Sequence, residues 1–357
     1  MMSTASQDAD LQNKTRPDKG VCGVTVAPAD CGDVRAELKA LLKDCGVYAS
    51  NLRAKILLTG ADRTRWLNSM ITNNIRDLPV GQGVYAFVLN PQGRILGDLY
   101  AYNRGDSLSL DTDQSQLEKL LALFRRYIIM DKVEISDTSD RTVVIGVAGP
   151  KAGATLRSIG LDFPKLEPLR LADLTWRNLG ITVVRGDTPN IESYEIWASP
   201  EDALSLRDAL EKSGATPVGT AALNFLRIAE GIPQYGQDIR ERDLPQETGQ
   251  DRALNFTKGC YIGQEIVERI RSRGNVHRKF TGFTIEGPLP APGTKIQLEG
   301  KDAGEITSSA SLPISDRQYH VALGYIRREF GAPGKQFEIE STKLTLSNLP
   351  FAEVFKY

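Results

Sequence analysis

Histidine is almost missing from this chain. His277 and His320 are the only two in 357 residues. Neither has a second histidine or a cysteine at ligand spacing, so no protein-held metal site is expected. Nothing resembles a nucleophile elbow, which argues against serine-hydrolase chemistry. Cysteine is scarce as well: Cys22, Cys31, Cys45 and Cys260 fit no zinc or redox spacing. Four thiols do not make a disulfide framework for so long a chain, and a reducing, cytoplasmic setting is the expectation. There is no excess of charge, since Lys+Arg 44 against Asp+Glu 45 leaves a formal −1. That balance excludes an overall basic nucleic-acid binder. No apolar run is long enough to cross a bilayer, so no membrane partner is expected. Met1–Asp33 is polar, lacks an apolar signal core, and is expected to be a disordered lead.

What is present suits globular folding: 41% of residues are hydrophobic, and the length predicts two or three domains. Helices are expected over Val34–Leu42, Gln116–Tyr127, Pro200–Glu211 and Ala221–Glu230, with another from Asp62 as N-cap through Met70. Val84–Leu89 and Arg94–Tyr102 read as a hairpin closed by Asn90-Pro91-Gln92-Gly93. Val143–Val147, Ile181–Val184 and Tyr194–Trp197 read as strands. The polar stretch Gly236–Gln250 reads as a surface loop. After Val276 short strand-like runs separated by Gly and Pro predict a small all-β barrel. The expected division is a lead (1–33), an α+β body (34–275) and a barrel (276–357), in a monomer.

The most informative stretch is Lys258-Gly259-Cys260-Tyr261-Ile262-Gly263-Gln264-Glu265. It sets one cysteine beside Lys258 and just ahead of a predicted helix, Gln264–Ser272. A helix N-terminus and a nearby ammonium both favour thiolate. A reactive thiol and a packing cysteine are both open readings. Asp98 falls on one face of the second hairpin strand with Leu96 and Tyr100, where it is either a half-desolvated functional carboxylate or an edge charge. Glu195, between Tyr194 and Ile196, poses the same choice. Arg227 lies among apolar helix neighbours and predicts a snorkelling or carboxylate-paired guanidinium. Gly146–Gly153 follows a strand, but fits neither the dinucleotide nor the Walker spacing. The Arg269–Lys279 cluster reads as a solvated face, with RNA, for instance tRNA, as the minor alternative.

Together these segments resemble the YgfZ-type folate-binding proteins, kin of the T-protein of the glycine cleavage system. The octapeptide Lys258–Glu265 carries the likeness. Leu58–Arg63 with Thr72–Ile75, Leu89–Leu99 and Leu226–Pro233 agree with it. The resemblance implies two intertwined α+β subdomains around a central tetrahydrofolate pocket, with a C-terminal antiparallel β-barrel. It implies Asp98 near the folate N10, Glu195 holding the pteridine, Tyr85 and Tyr102 offering ring faces, and Arg227 offsetting the glutamyl tail or orienting Glu195. It also implies Cys260 as the functional thiol, with Lys258 as its electrostatic support. The chain departs from the T-protein at Gly97, at Arg185–Asn190 and at Cys260. These departures imply an accessory protein for assembly or repair of iron–sulfur clusters in client enzymes. The alternative is a tetrahydrofolate-dependent aminomethyl- or methyltransferase.

Overall fold

Asp33 opens the first helix, α1 (Val34–Lys43), by accepting a hydrogen bond from the Arg35 N–H at 2.9 Å. The computed structural model describes residues 27–356 except 51, 275, 315 and 316, so the first 26 positions of the expected lead lie outside the described residues. After β1 (Gly46–Ala49) the chain builds an antiparallel sheet from β2 (Arg53–Thr59), β3 (Gly83–Leu89), β4 (Ile95–Asn103), β5 (Leu108–Asp113) and β6 (Glu134–Asp137). Its order is β3-β4-β5-β2-β6. Strand side chains alternate between faces. Ile56, Leu58, Val88, Leu99, Ala101 and Leu110 fall on one face and pack against α2 (Arg63–Met70) and α3 (Leu117–Tyr127). The opposite face is polar and aromatic. Across it Lys55 pairs with Asp111, Asp111 with Tyr100, and Tyr100 with Tyr85, a single row over four strands.

The second sheet contains β7 (Val143–Ala148), β8 (Leu171–Trp176), β9 (Leu179–Arg185), β10 (Ser193–Ala198) and the short β11 (Thr216–Pro217), with β1 between β11 and β7. One face buries Val47, Ile145, Val147, Val183 and Ile196 beneath α4 (Ala152–Ser158) and α5 (Pro200–Lys212). On the other, Tyr48, Gly146 and Glu195 lie in register. A Cβ at residue 146 would come within 2.1 Å of the Tyr48 ring, so only glycine lets that ring lie there. The two non-helical faces confront one another. Tyr102 meets Trp197 edge-on at 5.3 Å in a small cluster with Val144, Leu171 and Val184. Each half therefore covers its apolar face with its own helices and turns its polar face to the other.

After α6 (Thr220–Ala229), a long connection leads to α7 (Gln264–Arg273) and then to β12 (Arg278–Glu286), β13 (Lys295–Leu298), β14 (Lys301–Ile314), β15 (Arg317–Arg327), β16 (Gln336–Ile339) and β17 (Thr342–Ser347). These form a nearly closed antiparallel sheet, β13-β14-β15-β12-β17-β16, whose two edges lie against each other. It encloses Phe283, Ile296, Ile306, Phe337 and Leu344.

The segment 236–250 is not the surface loop its polarity suggests. Asp238, Asp243 and Thr248 are fully buried. Asp238 pairs with Arg227 at 2.6 Å and accepts from Thr307 and Ser308 of β14. Asp243 pairs with Arg278 of β12 at 2.6 Å. The polar side chains bind body to barrel, and the hydrogen bonds and countercharges between them offset their desolvation.

Candidate functional site

The hairpin β3–β4 places Asp98 at the edge of the space between the two sheets. Its carboxylate is held from two sides: the Tyr85 hydroxyl donates to Oδ2 at 2.6 Å, and the Gln116 amide donates to Oδ1 at 2.7 Å. Gln116 also accepts from the Asp98 N–H at 2.9 Å, and Thr112 donates to the Asp98 carbonyl at 2.7 Å. Gln116 is buried, just before α3, and reaches the strand because residue 97 is glycine. A Cβ there would stand 2.8 Å from the Gln116 Oε1. The half-buried carboxylate is thus fixed in orientation, with lone pairs left to accept from a ligand.

On β10, Glu195 accepts from the Trp197 indole N–H at 2.9 Å through Oε2. Its other oxygen accepts none of the described hydrogen bonds, and the side chain is 28% exposed. Beneath it lies Lys55, whose Nζ is buried, 3.8 Å from Glu195, 3.1 Å from Asp111 and 3.7 Å over the Trp197 ring. No described hydrogen bond satisfies that ammonium. Burial pushes Lys55 below the usual lysine range, against the pull of Asp111 and Glu195. Burial would raise the Asp111 carboxyl, but Arg53 at 3.1 Å and Lys55 outweigh it and hold the group low. Burial, reinforced by the Glu195 charge, pushes the Tyr48 phenol up.

Arg252 closes one side. Its guanidinium lies 4.7 Å above the Tyr85 ring and pairs with Asp187, which also accepts from the Tyr100 hydroxyl at 3.3 Å. Both residues line a cleft of about 630 Å³ between body and barrel, walled by Phe280, Ile326, Leu346 and Pro350. The arrangement can accept hydrogen bonds from N–H donors at Glu195, offer the part-buried ring of Tyr100, and present an oriented carboxylate at Asp98.

The expected residues fall into two groups between the sheets: Tyr85 with Asp98 on the hairpin, and Tyr102 with Glu195 through Trp197. Arg227 does not join them. Besides Asp238 it donates to the Ile232 carbonyl at 3.0 Å and to Ser308 at 3.0 Å, so it is committed to the seam with the barrel and does not orient Glu195. Lys258 makes no described hydrogen bond to Cys260. Its buried ammonium donates to the carbonyls of Asn68, Ile71 and Asn73, which uses all three of its protons on the end of α2. Cys260 itself is an exposed free thiol, whereas Cys45 is buried and Cys31 is disulfide-bonded. The cysteine stands apart from the helix that follows it, because Gly263 turns the chain at φ 83° before α7 begins. That glycine is obligatory: a Cβ would lie 2.6 Å from the Asn90 carbonyl of the hairpin turn. Gly259, by contrast, borders open space. Lys55, Tyr100, Asp111, Gln116, Asp187, Trp197 and Arg252 were not singled out as site residues from the sequence. Alternation along β2 and β5 puts Lys55 and Asp111 on the polar face, and their burial appears only once the second sheet covers it. Nothing local marks Gln116 or Arg252.

Residues 29–258 match the GCVT N-terminal domain, and residues 278–351 match the glycine cleavage T-protein C-terminal barrel domain. The chain belongs to the glycine cleavage T-protein family. A chloroplastic protein of Arabidopsis thaliana carrying a transferase name is 27% identical over 313 residues, covering 86% of this chain and 72% of the relative. An aminomethyltransferase of Rubrobacter xylanophilus is 28% identical over 305 residues, covering 85% and 81%. The crystal structure of the glycine cleavage system aminomethyltransferase T from Bartonella henselae superposes with a TM-score of 0.80 at 20% identity, covering 91% of this chain and 90% of that one. That likeness establishes the T-protein fold, α+β halves followed by the barrel.

Proposed function

We propose that the protein binds a tetrahydrofolate derivative between its two sheets and transfers the one-carbon unit, as aminomethyl or methyl, to or from it. The observation that carries this reading is the pair of part-exposed carboxylates, Asp98 fixed in orientation by Tyr85 and Gln116, and Glu195 with one oxygen open. The residues present fit the group. A pteridine offers adjacent N–H donors next to a carbonyl. Glu195 supplies an acceptor with spare capacity, and the buried ammonium of Lys55 lies 3.8 Å from it. Tyr100, part-buried beside Tyr85, supplies a flat ring. When bound, tetrahydrofolate supplies a nitrogen pair that carries the one-carbon unit. Glu195 holds the ring edge. Asp98 would stabilise positive charge on, or take a proton from, a folate nitrogen, and Tyr85 and Gln116 keep the carboxylate from rotating away.

The aminomethyltransferase names of the relatives support transfer chemistry over a purely accessory role. Incubation with labelled methylene-tetrahydrofolate and candidate amines tests it. Asp98→Asn keeps the shape and lowers turnover by about 100-fold or more, while folate binding measured by calorimetry survives. Turnover unchanged by Asp98→Asn, or absent from the wild type, sinks the transfer reading.

A second reading is favoured by one observation, the exposed free thiol of Cys260 beside open space at Gly259. In it the protein is of the YgfZ type, binds folate, and supports assembly or repair of iron–sulfur clusters in client enzymes through that thiol. One cysteine is too few to hold a cluster alone, so its contact would be transient. Cys260→Ala expressed in a deletion strain should then leave cluster-enzyme activity low. Full rescue by this variant removes the reading.

A further inference from the structure

We propose that the cavity between the hairpin turn and the barrel is a second binding site, for a small phosphate-bearing anion. Five cations from five segments border this space of about 500 Å³: Arg94 from the turn after β3, Arg242 from the buried loop, Arg278 from β12, Lys295 from β13 and Arg327 at the end of β15. Only two carboxylates line it, Asp302 and Glu305.

Those carboxylates do not neutralise the site. Glu305 lies at its floor, 7% exposed, and is shared by Arg240 at 2.6 Å, Lys295 at 2.6 Å and Arg242 at 3.2 Å. Burial works to raise the Glu305 carboxyl, but its hydrogen bonds to Arg240 and Lys295 hold it down at about 2, so it is already fully charged and outnumbered. Asp302 reaches Arg327 only at 3.9 Å, with both side chains about half exposed. Asp243 and Glu247 grip Arg278 from behind. Counting these two and Arg240, the site still holds two more cations than carboxylates. Arg94 has no carboxylate within ion-pair distance among the described residues, and one of its nitrogens donates to the Arg242 carbonyl.

Like charges gathered from separate segments repel unless an anion joins them. The donors are mainly guanidinium forks, which match phosphate oxygens two at a time. The site is concave and small, which suits a diphosphate-sized group better than a nucleic-acid strand, whose footprint would be a long basic stripe on a chain with a surplus of cations. This chain has a net −1. Asp98 and Glu195 are not among the bordering residues, so occupancy here does not depend on the folate reading.

Isothermal titration of the full chain with inorganic pyrophosphate is the test, with an RNA oligonucleotide as the second titrant and Arg94→Gln/Arg327→Gln as the comparison. Both side chains are at the surface, and thermal melting checks that the double variant remains folded. The proposal expects saturable pyrophosphate binding to the wild type, weakened at least about tenfold in the double variant. No saturable binding overturns it. So does pyrophosphate binding that the variant retains in full. RNA binding without pyrophosphate binding also overturns the small-ligand site and assigns the patch to nucleic acid.

Discussion

Replacing Lys258 by Met asks whether this lysine is a clamp or an activator. The side chain is 5% exposed, and its ammonium donates to the carbonyls of Asn68, Ile71 and Asn73 at 2.5–2.7 Å. Those carbonyls lie in and just beyond the last turn of α2, which ends at Met70. A helix end leaves carbonyls without intrahelical partners and carries partial negative charge, so a cation there both satisfies and neutralises it. Methionine keeps the length and removes every donor. Three buried acceptors lose partners at roughly 1–3 kcal/mol each, partly offset because no charge is then buried. The expected net loss is about 3 kcal/mol, read as a lower urea midpoint with an unchanged slope. Burial, with a smaller contribution from the Arg76 charge, pushes Lys258 down to about 7. An unfolded lysine titrates near ~10.4, so between those values the unfolded chain holds more protons than the folded one. The burial penalty is therefore complete below the folded value and is relieved as pH rises toward the unfolded one. The advantage of wild type over Lys258→Met should widen with pH, by at most about 1.4 kcal/mol per unit. Urea titrations at about pH 6 and about pH 9 measure both effects. A variant as stable as wild type at both values refutes the clamp. If stability is unchanged and alkylation of Cys260 slows, Lys258 serves the thiol after all.

Two further outcomes follow from the same region. Cys260→Ala should change stability by no more than about 0.5 kcal/mol, because the thiol is exposed; in the native wild type a thiol reagent should modify Cys260 well before Cys45, which is 3% exposed and has its thiol pushed up by burial. Gly263→Ala should cost about 2 kcal/mol or more in a thermal melt, since φ is 83° and the new Cβ would strike the Asn90 carbonyl; a melt within error of wild type would mean that the hairpin turn does not need its close contact with the start of α7.

Much of the fold could be read from the chain because it rests on local chemistry. The Asn90–Gly93 turn is specified by its own residues: Gly93 at φ 71° donates to the Asn90 carbonyl, and the Asn90 side chain accepts from the Arg94 N–H. The barrel strands were visible for the same reason, as apolar runs cut by Gly and Pro. Asp62 was placed correctly at the start of α2, yet its carboxylate accepts from the Lys132 N–H and makes no cap bond, a partner 70 residues away. Asp98 and Glu195 were reached through family likeness, and periodicity alone left each as a choice between function and solubility. Their environment is set by Gln116, Lys55 and Trp197, whose relevance appears only when strands are paired in register.

The misread positions share one cause. Polarity along a sequence was taken to mean water, and proximity along a sequence was taken to mean contact. Asp238 and Asp243 are polar because Arg227 and Arg278 meet them inside the seam, and nothing within the loop announces either partner. Lys258 is two residues from Cys260, but one is buried and donates to the end of α2 while the other is exposed. The octapeptide that first suggested reactive chemistry is better understood as two devices laid end to end. Lys258 closes α2, and Gly263 lets α7 start against the hairpin turn. Both fix the hairpin that carries Asp98: Lys258 through Asn73, which accepts from it and donates to the Tyr85 carbonyl, and Gly263 against the Asn90 carbonyl. Gly259 and Cys260 are not explained by this scaffolding, and of the two only Cys260 carries a reactive group, so its thiol is the one to test for chemistry.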